Sequence, residues 1–331
     1  MRRIVMNRRD FSLSLASLSA ALPSFAFAQA KFPERPIKLV VPFSAGGVND
    51  IVGRQWAEKM RGPLGSVFVE NQGGAGGTLG VMEVKRADAD GHTILLGSGS
   101  TMMMNELTTS NLPYDTGKDF IPIAIFCVST TSIAVNASVS VKNVKELVDY
   151  HKANPGKLSY GSAGTGTMSH LSGELFKLKT GLKDVVHIPY KGAGPGIADL
   201  VSGHIPMMSP NISGQILSLH NSGKIRVLAV NSKTRLKAAL DIPTAIEQGV
   251  PDMVGELFLG IYARTGTPGH VLDRIADATK KVMADEAFEK ALLVAGFEPV
   301  SHFGAEQGRR YMAEEVARWK PVVDAIGLKV R

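Results

Sequence analysis

Three glycine-rich segments hold the residues whose types and spacing could bind an anion. In the first, the apolar run 37–41 leads through a loop of small residues into a helical pattern that begins near residue 50. Glycines and hydroxyl side chains let such a loop aim consecutive backbone N–H groups at an oxyanion. Asp50 is either a contact or the ordinary N-terminal cap of the helix. The candidate contacts are Ser44, Ala45, Gly46, Gly47 and Asn49.

The second segment repeats this arrangement in the middle of the chain. A short run ending near residue 160 leads through a Gly/Ser/Thr loop into a helical pattern from Met168. The loop lacks the Gly-Lys-Ser/Thr of a Walker motif and the full spacing of a dinucleotide fingerprint, so it is a second candidate anion cradle. His170 is a further candidate, although a structural role in the helix is favoured. The candidate contacts of the loop are Gly161, Ser162, Thr165, Gly166 and Thr167.

The third segment covers residues 71–80 and is followed by a second small-residue loop at 97–101. Both follow apolar runs. A close-packed turn explains 71–77 equally well, whereas the loop at 98–101 suits the rim of a cleft. Ser100 is therefore the candidate taken from this region.

Strands and helices that alternate along the chain must position these segments. Strand-like apolar runs occur at 37–41, 67–69, 93–96, 121–128, 185–188, 225–230 and 257–262. Helical patterns occur at 50–60, 144–153, 168–180, 271–284 and 305–325. This alternation predicts an α/β fold with mainly parallel sheets flanked by helices. Ligands in open α/β sheets bind beyond the carboxyl ends of the strands, and the glycines gather there.

The N-terminus predicts export. Four arginines within the first nine residues precede a Ser-dotted apolar run and small residues that permit cleavage after Ala28 or Ala30, the pattern of a secretory signal peptide. Arg8 and Arg9 resemble a twin-arginine signal, and the general secretory route stays open. The apolar stretch is shorter than the ~20 residues that span a bilayer. About 300 mature residues favour two lobes.

Charge and cysteine content limit the classes of partner. The first 30 residues hold four of the 37 basic and one of the 30 acidic residues, so the remainder carries a net charge of +4 rather than +7. No Lys/Arg run suggests a nucleic-acid surface. Cys127 is the only cysteine, which excludes an internal disulfide, and it is misplaced for a lipid anchor at the end of the signal. We expect a free periplasmic monomer.

Motifs for catalysis are missing from the sequence. It has no Gly-x-Ser-x-Gly elbow, no His-Glu-x-x-His and no Cys/His cluster at metal spacing. No catalytic residue, metal site or cofactor is therefore predicted. Because a Ser-His-Asp set can assemble in space from any order in the chain, a periplasmic hydrolase or lyase is kept as the less favoured alternative.

Several blocks of sequence are specific to one protein family. Residues 32–43 read FPERPIKLVVPF and are followed by Gly46, Gly47 and Asp50. Similar blocks lie at 69–71, 74–77, 90–93, 164–167 with His170, 187–192, 228–230 and 266–268. Together they resemble the tripartite tricarboxylate transporter substrate-receptor (Bug) family over nearly the whole mature chain.

The resemblance implies a two-lobed clamshell receptor of the periplasmic-binding-protein, type II-like fold. Such a receptor captures a small organic carboxylate and passes it to the membrane permease subunits of a tripartite tricarboxylate-type transporter. The implied crossover strands lie near 125–130 and 226–230. Lobe 1 would be 31–126 plus 229–331, and lobe 2 would be 127–228. A sensor that reports the same solute to a signalling partner is the alternative.

The family's two carboxylate-holding loops correspond here to residues 44–49 and 161–167. Lobe 2 adds Tyr190. Lys191 is either a counter-ion or a solvated side chain on a turn, and Asp199 is expected in a structural or indirect role. The sequence departs from the family pattern at Ala45, Leu257, Phe258, Arg264 and residues 206–211, which leaves the identity of the solute open.

Overall fold

A computed structural model describes residues 32–329, so the expected signal peptide lies outside the described residues. The strands are β1 (Ile37–Val41), β2 (Val67–Asn71), β3 (Thr93–Ser98), β4 (Phe120–Thr130), β5 (Ser132–Asn136), β6 (Ser159–Ser162), β7 (Val186–Pro189), β8 (Met207–Met208), β9 (Ile225–Val230), β10 (Glu256–Arg264) and β11 (Phe297–Phe303). The helices are α1 (Val48–Leu64), α2 (Thr78–Arg86), α3 (Asn105–Thr108), α4 (Thr116–Asp119), α5 (Val144–Ala153), α6 (Met168–Thr180), α7 (Ala193–Ser202), α8 (Gly214–Asn221), α9 (Gly269–Met283), α10 (Glu286–Val294) and α11 (Ala305–Ile326).

Two sheets form the two lobes, which confirms the predicted α/β architecture. The first sheet has six strands in the order β11-β4-β10-β3-β1-β2, and the second has five in the order β7-β6-β8-β5-β9. Strands β2, β1 and β3 pair in parallel, as do β7, β6 and β8. The remaining pairs are antiparallel, so the sheets are mixed rather than mainly parallel. Every antiparallel pair includes β4, β5, β9 or β10, the strands that flank the crossings between the lobes.

The chain crosses between the lobes at two adjacent places. Strand β4 of the first sheet passes directly into β5 of the second through Thr131, and the segment between β9 and β10 returns. The expected crossover strands at 125–130 and 226–230 thus lie immediately before the two crossings. The lobe limits at 126/127 and 228/229 stay predictions; the sheet to which the chain belongs changes at Thr131 and after Val230.

Thr131 holds the two crossings together and is fully buried. Its N–H donates to the carbonyl of Gly255 (2.7 Å), and its own carbonyl accepts from the N–H of Asn231 (2.8 Å). Its Oγ1 lies 3.0 Å from both Ser172 Oγ and the Gly255 carbonyl and accepts from Asn231 Nδ2 at 2.9 Å. One residue therefore ties both crossings to the start of α6.

Each lobe has its own hydrophobic core. The first core packs α1, α9 and α11 against the first sheet around Trp56 and Trp319, whereas the second sheet buries apolar side chains on both faces. Helix α11 joins the two lobes on the side of the crossings, because its Val322 and Ile326 pack against both the first and the second core. Among residues 32–329, no helix combines the length and apolar character needed to cross a membrane.

Thr131→Val should lower the free energy of unfolding by about 1–3 kcal/mol, because the substitution keeps the shape of the side chain and leaves buried partners without a hydrogen bond. Chemical denaturation followed by circular dichroism measures the loss. Thr234→Val, at an exposed position, is the control and should change stability by less than about 0.5 kcal/mol. Equal effects of the two substitutions would contradict the role given to Thr131.

Candidate functional site

Three helix N-termini meet at one cavity between the lobes. They belong to α1 in the first lobe and to α6 and α7 in the second. The first N–H groups of a helix have no partner within the helix and carry its partial positive charge, so the cavity suits an anion. Its lining residues are Phe43, Gly47, Val48, Asn49, Ser100, Ala163, Thr167, Ser169, Ala193, Asn211 and Leu257.

The first loop is held in shape by Asp50. The N–H of Gly46, which has φ +85°, donates to Asp50 Oδ2 at 3.1 Å, and Arg54 Nη2 lies 2.9 Å from Asp50 Oδ1. Burial acts to raise the pKa of the Asp50 carboxyl, but Arg54, the Gly46 N–H and Asn71 outweigh it and lower the pKa below its ordinary value. Asp50 therefore stabilises the loop as an anion, and it does not line the cavity.

Asn49 presents a donor that no other residue of the described part of the chain accepts. It lies in the first turn of α1, lines the cavity and is only 5% exposed. Its Nδ2 has no hydrogen-bond partner within residues 32–329. A buried amide without a partner costs about 1–3 kcal/mol, and a carboxylate oxygen in the cavity would supply the missing acceptor.

The second loop satisfies most of its own amides. The N–H groups of Ala163, Gly164 and Gly166 donate respectively to Ser169 Oγ (2.8 Å), Ser162 Oγ (3.1 Å) and His170 Nδ1 (3.0 Å). These bonds shape the turn before α6, whose N-cap Thr167 accepts from the His170 N–H. Only Ala163 and Thr167 of this loop reach the cavity wall; Gly161, Ser162 and Gly166 lie behind it.

The lobes touch around the cavity in a closed arrangement. The N–H of Met168 at the start of α6 donates to Ser100 Oγ of the first lobe at 3.0 Å. The N–H of Ser44 donates to the carbonyl of Lys191 at 3.3 Å. The two backbones approach so closely that a Cβ at Gly194 would lie 2.1 Å from the Ala45 carbonyl oxygen. Ser44, Ala45 and Gly46 therefore form contacts between the lobes rather than cavity wall.

A second pocket of about 320 Å³ opens at the edge of the cleft. Thr165, Tyr190 and Lys191 line it together with Asn105 of the first lobe. The Tyr190 hydroxyl donates to Asp199 Oδ2 at 2.7 Å, and burial together with Asp199 raises the pKa of Tyr190 to about 12. Asp199 thus contacts the rim through Tyr190 and lines neither the inner cavity nor this pocket. The inner cavity is much smaller, at about 20 Å³.

Four of the candidate residues share the inner wall, namely Gly47, Asn49, Ser100 and Thr167. Sequence reasoning missed Ser169 and Ala193, although each follows a helix start that could have drawn attention to it. It noted Asn211 and Leu257 only as departures from a family pattern. Asn211 follows β8, which is two residues long and too short to show a period.

Two Ser-His contacts occur among the described residues, and neither is arranged for catalysis. Ser202 Oγ lies 3.1 Å from His204 Nδ1 at an exposed position that does not line the cavity. The other contact involves Ser162. Ser162 Oγ lies 2.6 Å from His187 Nε2. Ser162 is fully buried, is bonded to Gly164 of the adjacent turn and does not line the cavity. The contact belongs to the support of the loop.

Comparison with known proteins agrees with this architecture. Residues 52–328 match the model of the tripartite tricarboxylate transporter family receptor. A UPF0065 protein of Bordetella pertussis is 32% identical over 326 residues, covering 97% of this chain and 99% of that protein.

Two solved structures are also similar. Rpa4515 from R. palustris, solved with adipate, has a TM-score of 0.85 at 30% identity and is matched over 90% of this chain and 99% of its own. MatC from Rhodopseudomonas palustris, with bound malate, has a TM-score of 0.83 at 28% identity over 88% of this chain and 100% of its own. These relatives are solute-binding proteins rather than enzymes, so the hydrolase or lyase alternative falls away. The chain belongs to the tripartite tricarboxylate transporter receptor family of periplasmic solute-binding proteins.

Proposed function

We propose that the protein binds a small organic carboxylate between its lobes in the periplasm and delivers it to the membrane permease of a tripartite tricarboxylate-type transporter. The observation that carries the proposal is the meeting of three helix N-termini and the unpartnered Asn49 amide at one cavity. The relatives solved with adipate and malate support the choice of a carboxylate.

Recognition in this site uses dipoles in place of a charged side chain. None of the lining residues of the inner cavity carries a formal charge. The α1 terminus and Asn49 approach from the first lobe, and the α6 and α7 termini approach from the second. Hydrogen bonds to an ionised acceptor are about twice as strong as neutral ones, and this set of donors is complete only when the lobes are together. An anion therefore favours the closed state.

Entry of the solute requires the lobes to separate. The inner cavity, at about 20 Å³, has room for a water-sized group, whereas a dicarboxylate is several times larger. The crossings at Thr131 and between β9 and β10 are the places about which such a clamshell can open.

A panel of acids should identify the solute class by thermal shift. At a concentration of about 100 Kd, a bound acid adds about 2.7 kcal/mol to stability, and the midpoint of unfolding should rise by several degrees. Adipate and malate are the first probes, with adipamide as the neutral control that keeps the shape of adipate without its charge. If no acid in the panel raises the midpoint, or if adipamide raises it as much as adipate, carboxylate recognition is wrong.

Asn49→Asp should weaken binding of the acid selected by that panel by at least about tenfold. It removes a donor and adds a negative charge to the anion site, and a hydrogen bond to a charged group contributes about 1.5–3 kcal/mol. Calorimetric titration measures the affinity. Asn221→Asp, at the exposed end of α8, makes the same chemical change away from the cavity and should leave affinity unaltered. A matched loss in both variants would remove Asn49 from the site.

Deletion of the gene should reduce the initial rate of uptake of the same acid into whole cells, because the permease would lack its loaded receptor. Complementation with the unaltered chain should restore uptake, and the Asn49→Asp variant should not. A sensor would instead leave the initial rate unchanged and alter gene expression after exposure to the acid.

A further inference from the structure

Two stacked imidazoles, one buried and one half-buried, lie behind the second loop. We define His170 on α6 and His187 on β7 as the histidine pair; their ring centroids are 3.8 Å apart and their planes differ by 11°. His170 is 4% exposed. The Tyr160 ring lies beside the pair, 4.9 Å from the His187 ring and 6.5 Å from the His170 ring. Neither histidine lines the inner cavity.

The histidine pair holds the second loop at two points. His170 Nδ1 accepts the N–H of Gly166 at 3.0 Å. His187 Nε2 lies 2.6 Å from Ser162 Oγ, which in turn accepts the N–H of Gly164 at 3.1 Å. The turn between these points leads directly into the cavity residues Thr167 and Ser169. The orientation of the α6 terminus toward the cavity therefore depends on the pair.

The contact at Gly166 requires a neutral ring. A nitrogen that accepts an N–H bond carries no proton, so the His170 proton is on Nε2, which faces Glu174 Oε1 at 3.9 Å. A protonated ring would have donors on both nitrogens and would lose the Gly166 bond. Gly166 has φ +79°, which glycine adopts without strain, so the bonds around it select this conformation from several that are open to it.

The charged and titratable groups facing the pair are Tyr160, Glu174 and Lys177. Lys177 Nζ lies 2.9 Å from Glu174 Oε1, which also accepts from the Tyr160 hydroxyl at 2.6 Å. Burial, then Lys177, lowers the pKa of His170 to about 4. Burial, then His170, lowers the pKa of His187 to about 3. Both rings are therefore neutral near pH 7, and acid introduces positive charge between them.

We propose that His170 is a positioning residue for solute recognition: its neutral ring holds the Gly166 turn so that the N-terminus of α6 faces the solute, and protonation in acid releases the turn and the solute. The proposal rests on the proposed function for the α6 terminus as part of the binding site. It identifies a built-in pH dependence that does not involve any residue on the cavity wall.

The sign of the pH dependence follows from the lowered pKa. Above pH 5 the ring is neutral and the turn is held. Affinity falls as the pH drops through about 4, where the folded protein takes up the proton. The unfolded chain takes it up near pH 6.5, so the contribution of His170 to stability is fully present above pH 6.5 and is lost as the pH falls toward 4.

Two variants separate the role of the acceptor from that of the ring. His170→Asn places an amide oxygen where Nδ1 lies and cannot titrate, whereas His170→Leu removes the acceptor. His270→Asn makes the first change at an exposed histidine on α9 of the first lobe and serves as the control. Hydrogen exchange of the peptide that contains residues 161–168, compared at constant pH 7, reads the loop without any ligand.

In that exchange experiment the Gly166 amide should exchange at least about tenfold faster in His170→Leu than in the unaltered protein. His170→Asn and His270→Asn should stay within about threefold. Calorimetry with adipate or malate, whichever raised the unfolding midpoint, should show about tenfold weaker binding by His170→Leu at pH 7. Between pH 6 and 4 the affinity of the unaltered protein should fall about twofold relative to that of His170→Asn, because about half of the His170 rings carry the proton at pH 4. Titration of the acid itself cancels from this ratio.

Unchanged exchange and affinity in a folded His170→Leu variant would overturn the proposal. A constant ratio between the affinities of the unaltered protein and His170→Asn from pH 6 to 4 would also overturn it. This second comparison applies even if His170→Leu fails to fold. If neither acid binds the unaltered protein, the proposed function is wrong for these solutes, while the exchange comparison still tests the positioning role.

Discussion

The hydrogen bonds around Thr131 are the constraint on which the rest of the structure depends. The backbone of Thr131 joins the first crossing to Asn231 and Gly255 of the second, and its hydroxyl adds Ser172 on α6. Because the crossings are tied side by side, the loops that follow β1 and β6 face each other across one cleft. Without that alignment the helix termini of the two lobes would not share a cavity.

The cavity formed in this way is lined by helix N-termini and uncharged side chains. Helices α1, α6 and α7 each present their positive end, and Asn49 adds a buried donor. The protein satisfies the remaining loop amides itself, through Asp50 in the first lobe and His170 in the second. Two side chains that look like ligand contacts in the sequence, Asp50 and His170, thus hold the loops, and the cavity is lined by the residues just before them, Asn49 and Ser169.

Local patterns of apolar residues in the sequence predicted part of this architecture. Strands β1 and β9 and helices α5 and α6 begin and end where the apolar periods predict. Helix α6 is also marked by its cap Thr167 and by Gly181, whose φ of +78° ends it. The two-residue strand β8 and the helices α8 and α10 were not predicted, because elements this short contain no more than two or three periods or depend on packing against a sheet already formed. The antiparallel pairing of β10 depends on the path of the chain, which apolar runs do not report.

The candidate site, too, was predicted in part from the sequence, and the rest was decided by the tertiary structure. The glycine-rich loops, the family and an anion-binding role were determined by the sequence alone, because the residue types allow few other backbone conformations and the motifs are local. Only the tertiary structure decided that Asn49 and Thr167 line the cavity while Asp50, Gly166 and His170 support it. Those roles depend on distances between residues of the two lobes, which the hydrogen bonds of Thr131 bring together. No local sequence pattern specifies which of two adjacent polar side chains points toward the other lobe.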